Sequence, residues 1–256
     1  MKALIITQNE PFYIPKFLDI VLSKYENIIG IIILPGIPNG FTTVSYFNRL
    51  INVFGFKACI AYGTLLIKYK VLDLINALRK SSRCYSIRRI AKKNLISIYK
   101  LNDINAPESL KLIKALKPEI IISVASPQIF KRELIKLTPN TINVHAALLP
   151  QYKGMMPSFW VLAKGEQKTG ITVHFMKDNL DSGDIILQKV IEISNHETFH
   201  SLQTKVAKYG AITLLDSLKI IEENKITTIP NGKGSYFSFP NKEAAKELKA
   251  KGHHFI

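Results

Sequence analysis

Two polar side chains lie two residues apart in the segment Asn143-Val144-His145. Side chains at that spacing point to the same side of an extended strand. Apolar residues and Pro150 follow directly and end the segment. An asparagine amide can stabilise an oxyanion, and a histidine can take up and release a proton. The segment therefore predicts a reactive site at the end of a strand.

A cluster of acidic residues follows in the stretch Asp178-Asn-Leu-Asp181-Ser-Gly183-Asp. An Asn, a His and an Asp that converge on one point predict transfer of a group through a tetrahedral intermediate. Taken singly, each residue also has an ordinary structural explanation. Asn143 is then a turn residue, His145 a satisfied polar group, and Asp181 a turn former before Gly183.

Apolar strand-like runs alternate with amphipathic stretches along the chain, which predicts βαβ units. We therefore expect an α/β fold with a Rossmann-like, mostly parallel twisted sheet and helices on both faces. Such sheets bind ligands beyond the carboxyl ends of their strands, where the Ser123–Pro127 turn and the Asn143–Pro150 segment lie. The predicted strands are Ala3–Thr7, Asn27–Leu34, Glu119–Ala125, Thr141–Val144 and Asp184–Ile193, and the helices Pro15–Lys24, Ser109–Leu116, Gln128–Lys136 and Glu197–Asn224, the last capped by Ser194 or Asn195.

The pattern divides the chain into a catalytic domain over residues 1–228, with a helical insert at about 41–80, and a short C-terminal helical extension over 229–256. Within the insert, residues 50–67 are mostly apolar, with Lys57 as the one charge and two glycines. A membrane span needs roughly 20 apolar residues, and a central lysine costs about 2.5–3.5 kcal/mol on insertion scales. We expect two short helices that cover the domain, with contact at a membrane surface as the alternative.

The composition is 47% hydrophobic, which allows a sizeable core, and the net charge of +16 favours anionic partners. Residues 79–100 contain eight basic residues and no acid, which indicates either a solvated helix face or a segment that recruits anions.

The two cysteines, Cys59 and Cys84, have no Cys or His at ligand spacing. We therefore expect no metal site and no disulfide, and a reducing, cytoplasmic environment.

The run Asn143-Val-His145-Ala-Ala-Leu-Leu-Pro150, followed by Lys153-Gly154 and then Leu180-Asp181-Ser-Gly183, resembles the folate-dependent formyltransferase family. The resemblance implies a formyltransferase in which Asn143, His145 and Asp181 are catalytic and 10-formyltetrahydrofolate donates the formyl group to a primary amine. It places the folate against Ser123, Val124, Ala125, Ala147, Leu148, Leu149, Pro150 and Asp178, and the acceptor against Tyr152, Lys153 and Gly154. We expect His174 to be structural, with a position lining the site as the alternative. We expect Trp160 to lie in the core or a pocket wall, and His253 and His254 to lie in a loose tail.

Departures from the family pattern bear on the acceptor. Ala147 replaces the family serine, the Thr7–Tyr13 turn has no glycine for a ribonucleotide phosphate, and Pro35–Phe41 stands where tRNA-specific members have a basic insert. We expect no C-terminal barrel domain of the tRNA-specific kind after Pro240. We therefore expect a small-molecule acceptor, an amino sugar linked to a nucleotide, and not a nucleic acid. Methionyl-tRNA, another small or lipid-linked amine, and a non-catalytic relative that binds folate or sugar are the alternatives, and a homodimer is left open.

Overall fold

The computed structural model describes residues 1–37, 41–79 and 84–256. Its main sheet has seven strands in the order β3-β2-β1-β4-β5-β7-β8, and a second sheet pairs β6 with β9. The strands are β1 (Ala3–Gln8), β2 (Ile28–Leu34), β3 (Ile98–Lys100), β4 (Ile120–Val124), β5 (Asn140–His145), β6 (Lys153–Gly154), β7 (Lys168–Phe175), β8 (Ile185–Glu192) and β9 (Tyr236–Phe237).

Helices connect most of these strands, and several begin at residues that favour a helix start. Proline occupies the first turn of three of them, where its missing N–H costs nothing. The helices are α1 (Ile14–Leu22), α2 (Thr43–Phe54), α3 (Phe56–Leu78), α4 (Ile87–Lys93), α5 (Pro107–Leu116), α6 (Arg132–Ile135), α7 (Pro157–Lys164), α8 (Phe199–Glu222) and α9 (Lys242–Ala250).

The first five strands of the main sheet run parallel, and β7 and β8 join as antiparallel strands. Their isoleucine-rich segments are buried because helices cover both faces of the sheet. One apolar cluster holds α1, α4 and α8 against Ile5 and Ile122. Another holds α5 and α6 against Leu4 and Ile121, which point the other way. The predicted mostly parallel α/β sheet is confirmed.

Two predicted helix boundaries are wrong, and side-chain hydrogen bonds explain both. Only Arg132–Ile135 is helical within the predicted Gln128–Lys136. The Gln128 side chain instead accepts from Ile104 N–H and donates to the carbonyl of Asn102, which ties the segment to a loop. The N-cap of α8 is Thr198, whose hydroxyl accepts from Ser201 N–H, and the earlier Ser194 bonds to Glu197.

The helical insert differs from the two short covering helices that the sequence suggested. The second helix, α3, has 23 residues, and none of them is buried. No single helix in the described ranges has the length and apolar character to cross a membrane, whereas α2 and α3, bent by 114°, meet those requirements only as a pair. Lys80 and Arg83 of the basic segment, and Pro38–Gly40, lie outside the described residues.

The C-terminal tail is not loose. The backbone of Thr198 pairs with His254, and the ring of His253 bonds to the carbonyl of Glu197. Phe255 is buried in a third apolar cluster, where α9 packs against α7. The short charged helix therefore returns the chain to the body of the protein.

Candidate functional site

Two neighbouring strands bring three polar side chains together inside the sheet. In the antiparallel pairing of β5 with β7, Asn143 lies opposite His174. His145 lies two residues further along β5, on the same side. Asn143 Nδ2 is 3.3 Å from His174 Nε2, and the two imidazole rings are 6.4 Å apart. An amide and two imidazoles therefore share one buried position.

Asp181 completes the cluster from the loop between β7 and β8. Its Oδ2 lies 3.7 Å from His145 Nδ1, and its Oδ1 lies 3.7 Å from His174 Nε2. The carboxylate is 7% exposed and accepts a hydrogen bond of 2.8 Å from Gly154 N–H. Backbone donors stabilise the ionised form of a carboxylate at such a buried position. One carboxylate is thus held between two rings.

The loop that carries Asp181 needs glycine at a specific place. Asp181 has φ +47, the left-handed region. A Cβ on Gly183 would lie 1.7 Å from the carbonyl oxygen of Phe175, so a side chain there would push the loop off the strand. The amide of Asn231 donates to the carbonyls of Asp181 and Gly183. These contacts fix the direction of the carboxylate.

His174 is held neutral. Burial lowers the pKa of its ring from the ordinary 6.5 to about 4, and the neighbouring His145 acts in the same direction. Its Nδ1 lies 2.8 Å from the carbonyl of Phe175, and a carbonyl only accepts, so Nδ1 carries the hydrogen. Nε2 is then an acceptor and receives a hydrogen bond from the Asn143 amide.

The two nitrogens of His145 have different partners. Nε2 lies 2.9 Å from the carbonyl of Tyr152 and therefore donates to it. Nδ1 faces the carboxylate of Asp181. The ring is only 5% exposed. Nδ1 is thus the atom of this ring that can exchange a proton with a neighbour.

The predicted folate residues lie on both sides of this cluster. Ser123 and Val124 end β4 directly beside Asn143 and Val144, and exposed Ala125 follows them. On the other side, Leu148 packs over Gly170 of β7. Ala147 and Leu149 are buried. These two groups of residues flank the position between Asn143 and His145.

Parts of the Leu-Leu-Pro loop already have internal hydrogen bonds. The hydroxyl of Thr172 bonds to Leu149 N–H and to the carbonyl of Ala147, and Gln188 donates to the carbonyl of Leu149. Pro150 packs against Gly234. These hydrogen bonds to β7 and β8 fix the conformation of the loop.

The other predicted site residues divide into two groups. Asp178 lies on the exposed loop, 3.9 Å from Arg132, away from the four clustered side chains. Tyr152 and Lys153 lie beside the cluster, with Tyr152 stacked on Phe237 and Lys153 Nζ bonded to the carbonyl of Gly232. Gly154 contacts the site through its N–H bond to Asp181.

The site contains residues that the sequence did not assign to it. His174 was expected to be structural, with a position lining the site only as the alternative, and it contacts Asn143 and Asp181. Its signal in the sequence was its position in a strand that could pair with Asn143. Asn231 and Ser235, which bond to Asp181 and to Tyr152 N–H, come from the C-terminal stretch and carried no recognisable pattern. Trp160 is half-buried, stacks on Phe237 and donates to the carbonyl of Ser238.

The model of the formyl transferase family matches residues 73–218, more than half of the chain. The chain belongs to this family. The match includes all four clustered side chains of this formyl transferase. Within the described ranges, no group of three or more His, Cys, Asp and Glu side chains could hold a metal ion.

Similar proteins fall into several formyl transferase types. The methionyl-tRNA formyltransferase of Clostridioides difficile (strain 630) is 37% identical over 138 residues, which cover 54% of this chain and 45% of the relative. The chain thus spans about half the length of such curated relatives. Two solved structures cover 93% of the chain and share its fold. They are the N-formyltransferase from Helicobacter canadensis with folinic acid and dTDP-3-aminofucose (TM-score 0.58, 19% identity, 71% of that chain) and phosphoribosylglycinamide formyltransferase from Anaplasma phagocytophilum (TM-score 0.62, 14% identity, 98% of that chain).

Replacing Gly183 by alanine should displace the Asp181 loop, because the added Cβ meets a backbone oxygen that cannot rotate away. We expect Gly183→Ala to lower the free energy of unfolding by about 1–3 kcal/mol, measured in urea. Gly232→Ala is the control, since a Cβ there meets nothing within 4 Å. Equal stabilities of the two variants would show that the loop does not depend on the close approach at Gly183.

The neutral state of His174 should make stability depend on pH. Between pH 6.5 and about 4 the unfolded ring binds a proton and the folded ring does not, so the free energy of unfolding falls as the pH falls through this window. The loss is on the order of 3 kcal/mol. In His174→Gln this part of the loss should disappear, whereas the exposed His196→Gln should keep the wild-type dependence. An unchanged dependence in His174→Gln would contradict the assignment.

Proposed function

We propose that this formyl transferase moves a formyl group from 10-formyltetrahydrofolate to a primary amine. The observation that carries the proposal is the convergence of Asn143, His145 and Asp181 at the carboxyl edge of the parallel strands. The folate-like donor fits the residues present. The amide donor and the proton-exchanging ring would act on the formyl group. The two flanking segments, Ser123–Ala125 and Leu148–Pro150, would hold the flat ring system of the folate.

Asn143 stabilises the negative charge that develops on the formyl oxygen. Its Nδ2 has two hydrogens, and one of them donates to His174 Nε2. The other is available to the oxygen. Because His174 is neutral and accepts at Nε2, it fixes the amide with nitrogen, not oxygen, toward the reacting group. Loss of one such donor in acyl-transfer enzymes costs about 2.7–4 kcal/mol of transition-state stabilisation.

Asp181 and His145 handle the proton that the attacking amine must lose. Asp181 is acceptor-only when ionised, and it faces Nδ1 of His145 across 3.7 Å. His145 cannot use Nε2 for this purpose because that atom donates to the carbonyl of Tyr152. The proton therefore passes from the amine to the carboxylate and Nδ1 as the new N–C bond forms. It is delivered to N10 of the folate when the bond between N10 and the formyl carbon breaks, which releases tetrahydrofolate.

The acceptor that we favour is an amino sugar linked to a nucleoside diphosphate. The net charge of +16 favours binding of the dianionic diphosphate of such a nucleotide. A fold neighbour has been solved with dTDP-3-aminofucose, and another with a UDP-linked formamido sugar. Lys153, in the strand next to Asp181, supplies a cation close to the place where an acceptor amine must enter.

Methionyl-tRNA is the second candidate acceptor. The specific observation in its favour is the 37% identity to a methionyl-tRNA formyltransferase over 138 residues. The charge of the protein attracts any polyanion, so it supports both candidates.

His145→Ala and Asp181→Asn should each lower the turnover number by about 100-fold or more, as for other positioned acid–base groups. Asp181→Asn keeps an oxygen for Gly154 N–H and so preserves the loop. The measurement is release of tetrahydrofolate at saturating donor and acceptor. His196→Ala and Asp184→Asn are matched controls on exposed or half-exposed positions and should keep wild-type turnover. Near-normal turnover in either site variant would refute the assigned roles.

The acceptor is decided by a panel containing dTDP-linked and UDP-linked amino sugars and methionyl-tRNA, each with 10-formyltetrahydrofolate at about 0.15 M salt, where surface attraction is well screened. We expect tetrahydrofolate release with a nucleotide-linked amino sugar. Efficient formylation of methionyl-tRNA with no activity on either sugar would reverse the order of the two candidates. No release with any amine would contradict the proposed reaction itself.

A further inference from the structure

Helix α3 exposes a continuous apolar stripe. The members recur at spacings of three, four and seven residues, which places them on one side of a helix. Their exposed fractions are large for apolar residues. They are Phe56 (67%), Ile60 (51%), Ile67 (64%), Val71 (48%), Leu74 (62%) and Leu78 (77%). We call this set the α3 stripe.

The opposite side of α3 is fixed to the body of the protein, so the stripe cannot turn inward. The hydroxyl of Tyr62 bonds to the carbonyl of Phe255 and approaches that of Tyr13. Tyr69 packs against Phe12. Asp73 accepts from Tyr85 N–H. These contacts run from the middle of the helix to its C-terminal end and hold it along the surface.

The charges beside the stripe all have one sign. The exposed charged residues of the helix are Lys57, Lys68 and Lys70, and Arg79 follows as its C-cap. At about 3.6 residues per turn, Lys57 and Lys68 lie on one flank of the stripe and Lys70 on the other. The single acid of the helix, Asp73, is turned inward and already bonded. An apolar strip with cations along both edges is therefore presented to the outside.

We propose that the α3 stripe binds the surface of an anionic lipid bilayer, with the helix parallel to the membrane plane. The apolar side chains enter the boundary between headgroups and acyl chains. The lysines extend along the edges and place their ammonium groups among the lipid phosphates. The inference goes beyond the proposed reaction and does not depend on it.

Charge favours a lipid surface over a second copy of the chain. Two α3 stripes packed face to face would bring the flanking lysines of both copies together, where paired helices normally carry opposite charges. Each copy also carries a net charge of +16. The same cations are attracted to anionic headgroups. The lipid surface therefore complements both features of this helix, its apolar strip and its charge.

The test is flotation of the purified protein with phosphatidylcholine vesicles, either pure or with about 30% phosphatidylglycerol, a bacterial-type anionic lipid. We expect the protein to float with the anionic vesicles and to remain at the bottom with neutral ones. Raising the salt should weaken binding to the anionic vesicles toward the level seen with neutral ones, because only the electrostatic contribution is screened.

Two pairs of variants separate the apolar and the charged contributions. Ile67→Ser with Leu74→Ser should lower the partition constant by at least about tenfold. Lys68→Gln with Lys70→Gln should lower it by roughly 25-fold, since each basic residue near an anionic surface contributes about fivefold. Matched controls remove equally exposed groups elsewhere: Leu95→Ser with Ile129→Ser, and Lys111→Gln with Lys114→Gln of α5. Both controls should bind like the unaltered protein.

Three results would overturn the proposal. The first is that the protein does not float with anionic vesicles at all. Ile67→Ser with Leu74→Ser could bind as well as the unaltered protein, which would leave only nonspecific attraction of a cationic chain. A dimer in sedimentation that this same pair of changes dissociates, without vesicle binding, would assign the stripe to a second copy. Formyl transfer is not measured in any of these experiments, so failure of one proposal is distinguishable from failure of the other.

Discussion

The hydrogen bond from Gly154 N–H to the carboxylate of Asp181 is the contact on which the site depends. It joins the turn after β5 to the loop between β7 and β8, and it turns one buried carboxylate toward His145 and His174. A carboxylate at this depth is costly unless charge and hydrogen bonds compensate it. The Gly154 N–H provides a hydrogen bond, and Nδ1 of His145 is the neighbouring atom that can bring a positive charge. The C-terminal stretch supports the same loop through Asn231.

The two histidines differ because their hydrogen-bond partners differ. His174 donates to the carbonyl of Phe175, is held neutral by burial, and accepts from Asn143. His145 donates from Nε2 and keeps Nδ1 toward Asp181. One ring thus orients an amide while the other exchanges a proton. The two roles differ because a different nitrogen of each ring donates to a backbone carbonyl. The fold sets the positions of these carbonyls.

The sequence was sufficient where a local pattern decides the structure. Continuous isoleucine runs predicted buried parallel strands, and the two-residue spacing placed Asn143 and His145 on one side of a strand. The resemblance to a known family added Asp181 to them. The sequence was insufficient where contacts between distant segments determine the local structure. Gln128 leaves a helical pattern because its side chain finds loop partners, and the tail around His253 is ordered by the start of α8. Which side of α3 is exposed depends on which side packs against the rest of the protein. The sequence of α3 has apolar residues on several sides, so it does not predict the packed side.

The central claim is that Asn143 and the His145–Asp181 pair act on one formyl group. It is tested most directly by a crystal structure of the protein with a non-reactive formyl-folate analogue. The account predicts the formyl oxygen within about 3 Å of Asn143 Nδ2, with the ring system between Ser123–Ala125 and Leu148–Pro150. A formyl group bound away from Asn143, with the bonds of the four clustered side chains unchanged, would contradict it.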